Sequence, residues 1–417
     1  MNIEDIKSKY PGFYYYQNND FATIKLRFDF NYENTKENYV KAMILRSYLG
    51  QTNAKYKTLK KINDKCRDLY SADYIVRIKH TADHYYFSFL FIMYDYKVIG
   101  DNYFKDAINF FHTIMFKPNF INNELDTNIF EKIKQEIFDN EKEDNFEPNV
   151  MQYRYFLQNA VPDSKLVTTR FKDVNELTSI LSQITEKDII DFYYEVINNF
   201  ARGYVFGNLN ETEINYIAKK FNFKNSNFDA NYFIKDKIKK GEKTIKSKDT
   251  SQSYLYVVYD INNYSVQERY IYEAILNILN KSLSGLIYTV LREELGLVYS
   301  AYADMFGFRG FMFIEANIDK KNKDKCLLGI EEIFKRLQDK DIITKLLKFY
   351  QNKVIEESYT NKEEIDYYVT ELDNYVYEKR DSEEKELALI KELTPDDIIK
   401  HVKKLEKKFI FFYQGDK

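Results

Sequence analysis

Three stretches of this chain occur twice, in the same order, and a sequence that repeats itself folds as two copies of one plan. The first pair is "IKLRFDFN" (24–31) and "LYVVYDIN" (255–262), where Ile24, Leu26, Phe28 and Phe30 answer to Leu255, Val257, Tyr259 and Ile261. Both alternate as half-buried strands do. The second pair, "LYSADY" (69–74) and "VYSAYA" (298–303), shares Tyr-Ser-Ala and leads into strand-like sequence. The third is "ITEKDIIDFYYEVINNFARGYVFGNL" (184–209) against "LTPDDIIKHVKKLEKKFIFFYQGD" (393–416). Each member opens on a threonine in the N-cap position with aspartate three residues later, then carries an apolar helical stripe and a short apolar strand.

Matched positions lie 231 and 229 residues apart in the first two pairs and 209 apart in the third. The first half is therefore the longer, with its extra residues expected in the helical stretch around 121–170. Each half reads as strand, helices, strand block, helices and strand. The fold class is α+β, two duplicated domains, each a largely antiparallel sheet packed with helices. The expected domains are 1–221 and 251–417, joined by a lysine-rich polar linker at 222–250.

With 44% hydrophobic and 30% charged residues, the composition is that of a folded globular chain. A net charge of −3 with both signs interspersed makes no case for nucleic acid or a membrane surface. The N-terminus lacks the basic-then-apolar layout of a secretory signal. The longest apolar run, "FSFLFIMY" (87–94), is far short of the roughly 20 residues that span a bilayer. Cys66 and Cys326 have neither metal-ligand spacing nor the numbers of a disulfide framework. The expected location is the cytoplasm. No phosphate-binding glycine loop and no nucleophile elbow is present.

The segment "NKSLSGLIYTVLREELGLVYSAYA" (280–303) resembles the second-domain segment of the pitrilysin/insulysin peptidases, the zinc inverzincins that include mitochondrial processing peptidase. In that family small residues precede a short helix ending in Leu/Val-Arg-Glu, followed by Gly-Leu-Ala-Tyr-Ser. The duplication and the glycine-containing strand "YVFGNL" that closes the first half are also family features, so the resemblance covers essentially the whole chain. It implies that Arg292 and Tyr299 point from the second half toward a zinc site, where they hold a substrate carbonyl and its tetrahedral oxyanion. A guanidinium and a phenol suit that task as donors to developing negative charge. Gly296 is expected as the left-handed cap ending the helix that carries Arg292. The competing reading pairs Arg292 with Glu293, Glu294 or another acid and packs Tyr299 in a core.

In the family, His-x-x-Glu-His on the first helix after the first strand supplies two imidazole ligands and the glutamate that activates water. The corresponding helix here, "ENYVKAMILRSYLGQTNAKY" (37–56), places Met43, Arg46 and Ser47 at those positions. A thioether, a cation and a hydroxyl cannot replace two imidazoles and a general base, so no metal or other cofactor is expected on this chain. "HTADH" (80–84) puts His80, Asp83 and His84 at the inverzincin spacing, but it is flanked by two alternating runs and reads as a hairpin turn, which does not bring i and i+4 onto one face. His112 is expected at a core boundary, and His401 on the amphipathic last helix.

The resemblance therefore implies the noncatalytic subunit of a heterodimeric bacterial zinc peptidase. Its partner would be a homologous chain with an intact His-x-x-Glu-His that carries the zinc. The two would close as a clamshell around a peptide, with Arg292 and Tyr299 completing the partner's site. The alternative is an inactive peptidase-like scaffold or peptide-binding module. A self-sufficient metallopeptidase using "HTADH" ranks last.

Overall fold

A computed structural model of the chain describes residues 10–416, apart from 82–83, 121, 123, 223–233, 249, 263, 281–283 and 361–364. In the N-terminal half the elements run β1 (Phe13–Gln17), β2 (Thr23–Tyr32), α1 (Lys36–Gln51), α2 (Leu59–Asp68), β3 (Asp73–Thr81), β4 (His84–Tyr94), α3 (Tyr96–Ile99), α4 (Phe104–Phe116), α5 (Thr127–Phe146), α6 (Pro148–Ala160), α7 (Lys165–Thr168), α8 (Val174–Gln183), α9 (Glu186–Asn198), β5 (Phe200–Gly207) and α10 (Glu211–Phe221). They continue with β6 (Gly241–Lys246), β7 (Ser253–Ile261), α11 (Arg269–Asn280), a π-helix (Tyr288–Glu294), β8 (Val298–Phe306), β9 (Phe311–Ile318), α12 (Lys323–Arg336), α13 (Lys340–Thr360), α14 (Ile365–Glu378), α15 (Glu383–Glu392), α16 (Pro395–Val402) and β10 (Leu405–Gln414).

The repeated alternation places the apolar set of each central strand in a core. Ile24, Leu26, Phe28 and Phe30 of β2 are fully buried, as are Leu255, Val257 and Ile261 of β7. The two sheets have the same order, β1-β5-β2-β4-β3 and β6-β10-β7-β9-β8. In each, the first strand runs parallel to its neighbour and every other pairing is antiparallel. The duplication read from three anchors is thus a duplication of topology, and the α+β class with two helix-packed sheets holds. The third anchor also forms as expected: Thr185 with Asp188 and Thr394 with Asp397 make capping boxes at the starts of α9 and α16.

The chain divides into two compact units, and the division departs from the expected domains. One unit holds 2–144 and 169–231; the other holds 145–168 and 232–417. Helix α6, expected within 1–221, packs on the second sheet, where the Phe156 ring stacks on Tyr256 at 4.1 Å between centroids, nearly parallel. Phe156, Leu157 and Ala160 form one buried cluster with Val258, Phe313 and Phe411. A helical stripe states that a helix has an apolar face, not which sheet will cover it. The stretch 222–250 is not all linker either. Its residues 241–246 form β6, which pairs in parallel with β10 from Phe409↔Gly241 to Gln414↔Lys246. Its sequence, GEKTIK, is almost wholly exposed, so no alternation marks it as a strand.

The "HTADH" stretch is strand where the structure describes it: His80 lies in β3, His84 begins β4, and Thr81 pairs with His84. Asp83 lies outside the described residues.

Candidate functional site

Tyr299 sits at a free sheet edge, because among the described residues β8 has β9 as its sole neighbour, and Arg292 lies on the helix that leads into β8. The helix that carries Arg292 is wound as a π-helix, with the Leu295 N–H closing on the Val290 carbonyl at 3.1 Å, five residues back. It ends at Gly296, whose φ of +59° is the left-handed cap expected from the sequence. The Gly296 N–H bonds the Arg292 carbonyl at 3.2 Å and the Leu297 N–H bonds the Leu291 carbonyl at 2.9 Å, so the chain reverses directly into β8.

Tyr299 is the extra residue of a β-bulge. Val298 faces Ile318 and Ser300 faces Asn317, which leaves Tyr299 without a partner in the register. A bulge re-aims the side chain it carries, and here it leaves the phenol 53% exposed. Arg292 Nη1 donates to the Tyr299 carbonyl at 2.7 Å, and the Tyr299 hydroxyl donates to Asp319 Oδ1 at 3.0 Å. That bond pushes the Tyr299 phenol above its ordinary pKa, keeping it a neutral donor at physiological pH. The Arg292 guanidinium also lies 5.7 Å from the Tyr288 ring centre.

Neither half of the competing reading describes this geometry. Glu294 is held instead by Arg336 of α12 in a two-pronged bond of 2.7 and 2.8 Å. Arg292 has no carboxylate partner among the described residues, and Tyr299 is not in a core. What the sequence did not point to is the support. Asp319 lies 20 residues from Tyr299, and Arg336 lies 42 from Glu294. Gly329 of α12 is the one locally legible sign, since a Cβ there would lie 2.6 Å from Leu291 Cδ2, so its absence lets α12 approach the π-helix.

Gly296→Ala is expected to destabilise the chain by about 1–2 kcal/mol, from the left-handed backbone alone. No atom lies within 4 Å of the added methyl, so a thermal-unfolding shift larger than that would have no steric source.

Met43, Arg46 and Ser47, which the resemblance aligns with the zinc motif, all fall on α1, whose start is capped by Thr35. Met43 is nearly buried, Arg46 is exposed and Ser47 half-exposed. The family's zinc does not fit this donor set: a thioether facing inward offers no lone pair outward, and a guanidinium is never deprotonated to become a ligand. Arg46 and Ser47 instead line an open groove of about 800 Å³ that runs between α1, α2 and β3. No three His, Cys, Asp or Glu side chains gather as a metal cluster among the described residues. His112 stacks between Phe116 and Phe221, and burial pushes its pKa down to about 4. His401 is buried on α16, with Nδ1 2.8 Å from the Asp397 carbonyl oxygen.

The fold defines a class, an α+β chain with a duplicated five-stranded sheet. Residues 183–354 match the family model described as the peptidase M16 inactive domain. Among solved structures, a conserved protein from Enterococcus faecalis superposes with a TM-score of 0.82 at 20% identity, covering 97% of this chain and 96% of that one. A protease from Helicobacter pylori gives 0.73 at 12% identity, covering 97% of each. A peptidase M16 inactive domain from Pseudomonas fluorescens gives 0.70 at 14%, covering 97% and 95%. No curated protein matches the chain. Over residues 183–354 the chain is similar to the peptidase M16 inactive domain, and over nearly its whole length it shares the fold of these peptidase-like chains. Among the described residues, no helix is long and apolar enough to cross a membrane.

Proposed function

We propose that this chain is the noncatalytic subunit of a heterodimeric, cytoplasmic zinc peptidase that cleaves peptides or leader segments. The zinc and its His-x-x-Glu-His belong to a homologous partner chain, and Arg292 and Tyr299 serve that partner's site in trans. One observation carries the reading. The pair stands exposed at the turn from the π-helix into an edge strand, presented by a left-handed glycine and a bulge, with guanidinium donors beyond the one bonded to Tyr299 still available. Backbone irregularities of this kind are characteristic of sites that aim a side chain at a ligand.

A second reading has its own observation. Arg292 is bonded to the Tyr299 carbonyl and Tyr299 to Asp319, so the pair could brace the turn into β8 in a scaffold or peptide-binding module. The test is copurification of the tagged chain from its native host, then reconstitution. A similar-sized chain bearing His-x-x-Glu-His, inactive alone and active on mixing at one-to-one, is the expected result. A chain that elutes alone, or a partner equally active without it, rejects the trans reading in favour of the scaffold.

A further inference from the structure

The open side of β8 is held at one point by a side chain. Asn280, the last residue of α11, donates from Nδ2 to the Ala303 carbonyl at 2.7 Å and accepts the Ala303 N–H at Oδ1, also at 2.7 Å. These are the two bonds that a neighbouring strand exchanges with a residue whose N–H and C=O point out of the ladder. An asparagine can make both because its planar amide carries a donor and an acceptor side by side, as a peptide group does.

Both ends of this tether are fixed. Helix α11 is buried through Ile275, Ile278 and Leu279, which share one core cluster with Ala303 and with Leu291 and Leu297 ahead of β8. At the start of the strand, the Leu297 N–H is tied to the Leu291 carbonyl at 2.9 Å. Between the two anchors runs 298–302, which contains the bulge at Tyr299 and pairs with β9 alone. A bulge interrupts the ladder where it stands, so this segment has fewer backbone bonds than a paired strand. It nonetheless carries the Tyr299 carbonyl that holds Arg292, and the Tyr299 hydroxyl.

We infer that Asn280 is a positioning residue: its amide clamps the open side of β8 at Ala303 and so fixes where the bulge presents Arg292 and Tyr299. The inference rests on the trans reading of that pair, and it adds a residue whose own side-chain bonds go to the strand and to neither of them.

The test is a double-mutant cycle on the reconstituted pair, with kcat and KM measured on a fluorogenic peptide that the wild-type pair cleaves. Asn280→Ala is expected to lower kcat about ten- to a hundredfold, the cost of displacing a functional group by about 1 Å, with KM and assembly little changed. Asn280 is itself exposed, so the substitution leaves the core intact. The same substitution should cost severalfold less once Tyr299→Phe has removed the hydroxyl being positioned. Asn280→Gln keeps both groups on a longer stem and should restore part of kcat. Asn280→Asp should not, because its carboxylate would face the Ala303 carbonyl oxygen. On the chain alone, 3-fluorotyrosine placed at 299 should give one sharp fluorine resonance that broadens or splits on Asn280→Ala. An unchanged resonance, an equal loss of kcat in both backgrounds, or full activity of Asn280→Ala beside an impaired Tyr299→Phe would each overturn the inference and leave the trans reading standing. A fully active Tyr299→Phe pair would reject the trans reading itself, and this inference with it.

Discussion

Arg292→Ala and Tyr299→Phe are each expected to lower turnover by the reconstituted pair roughly 10²–10³-fold, the range for removing one donor to an oxyanion. Assembly should be affected far less, because Arg292 on its helix and Tyr299 on the strand edge are both exposed and not in a core. Tyr299→Phe is the cleaner substitution, since it removes one hydroxyl and leaves the ring. Arg292→Lys keeps the charge but not the planar fork, and it should recover only part of the activity. Steady-state kinetics on the mixed subunits, with assembly measured separately by mass photometry, separates the two readings. If the pair only braces the turn, Arg292→Ala should cost about 0.5–1.5 kcal/mol of stability for the lost bond to the Tyr299 carbonyl and leave turnover unchanged. Full activity from both variants would remove Arg292 and Tyr299 from any catalytic role.

The largest expected effect on stability lies elsewhere in the same unit. Arg269 on α11 is 4% exposed and meets three carboxylates, Glu273 at 2.9 Å, Glu378 of α14 at 3.2 Å and Glu386 of α15 at 3.3 Å. It ties two C-terminal helices to the one beside the core. Arg269→Ala would leave these acids without their central cation, and the expected loss is about 3–5 kcal/mol in urea unfolding at neutral pH. The same cluster sets a pH dependence. Burial, and then repulsion from Glu383 and Glu386, raises the Glu371 carboxyl from its ordinary value to about 7, with Arg269 and Asn374 opposing. Glu273, Glu378 and Glu386 are also raised, by burial first. An acid whose folded pKa is raised binds more protons folded than unfolded, so stability falls as pH climbs between its unfolded and folded values. The second unit should therefore lose stability as pH rises from about 4.5 to about 7, and Glu371→Gln should flatten that slope. A slope of the opposite sign, or one that Glu371→Gln leaves unchanged, would place the controlling groups elsewhere. The lowered carboxyls of Asp188 and Asp397, each bonded by its capping threonine, work in the opposite sense but at lower pH.

How much of this was legible in the chain depends on the distance over which each feature is encoded. Alternation in 24–31 and 255–262 is written residue by residue, and it placed both central strands and their buried faces. Thr185 with Asp188 and Thr394 with Asp397 are three apart, and both capping boxes formed. Gly296 was legible because a positive φ is a local demand that glycine meets at little cost. That Met43, Arg46 and Ser47 offer neither imidazole nor carboxylate was legible too, because which groups a side chain carries does not depend on its surroundings.

The tertiary structure decided what depends on partners far along the chain. That β6 is a strand follows from the free edge of β10 more than 160 residues away, since its own side chains are polar and exposed. That α6 belongs to the second unit follows from a stack on Tyr256, 100 residues on, which no helical period announces. The bulge at Tyr299 exists only as a shift in register between β8 and β9, and the groove beside Arg46 only once α2 and β3 stand against α1. A sequence states which groups a residue can offer and what backbone it tolerates. Which groups it meets is decided by packing between segments that the chain keeps apart.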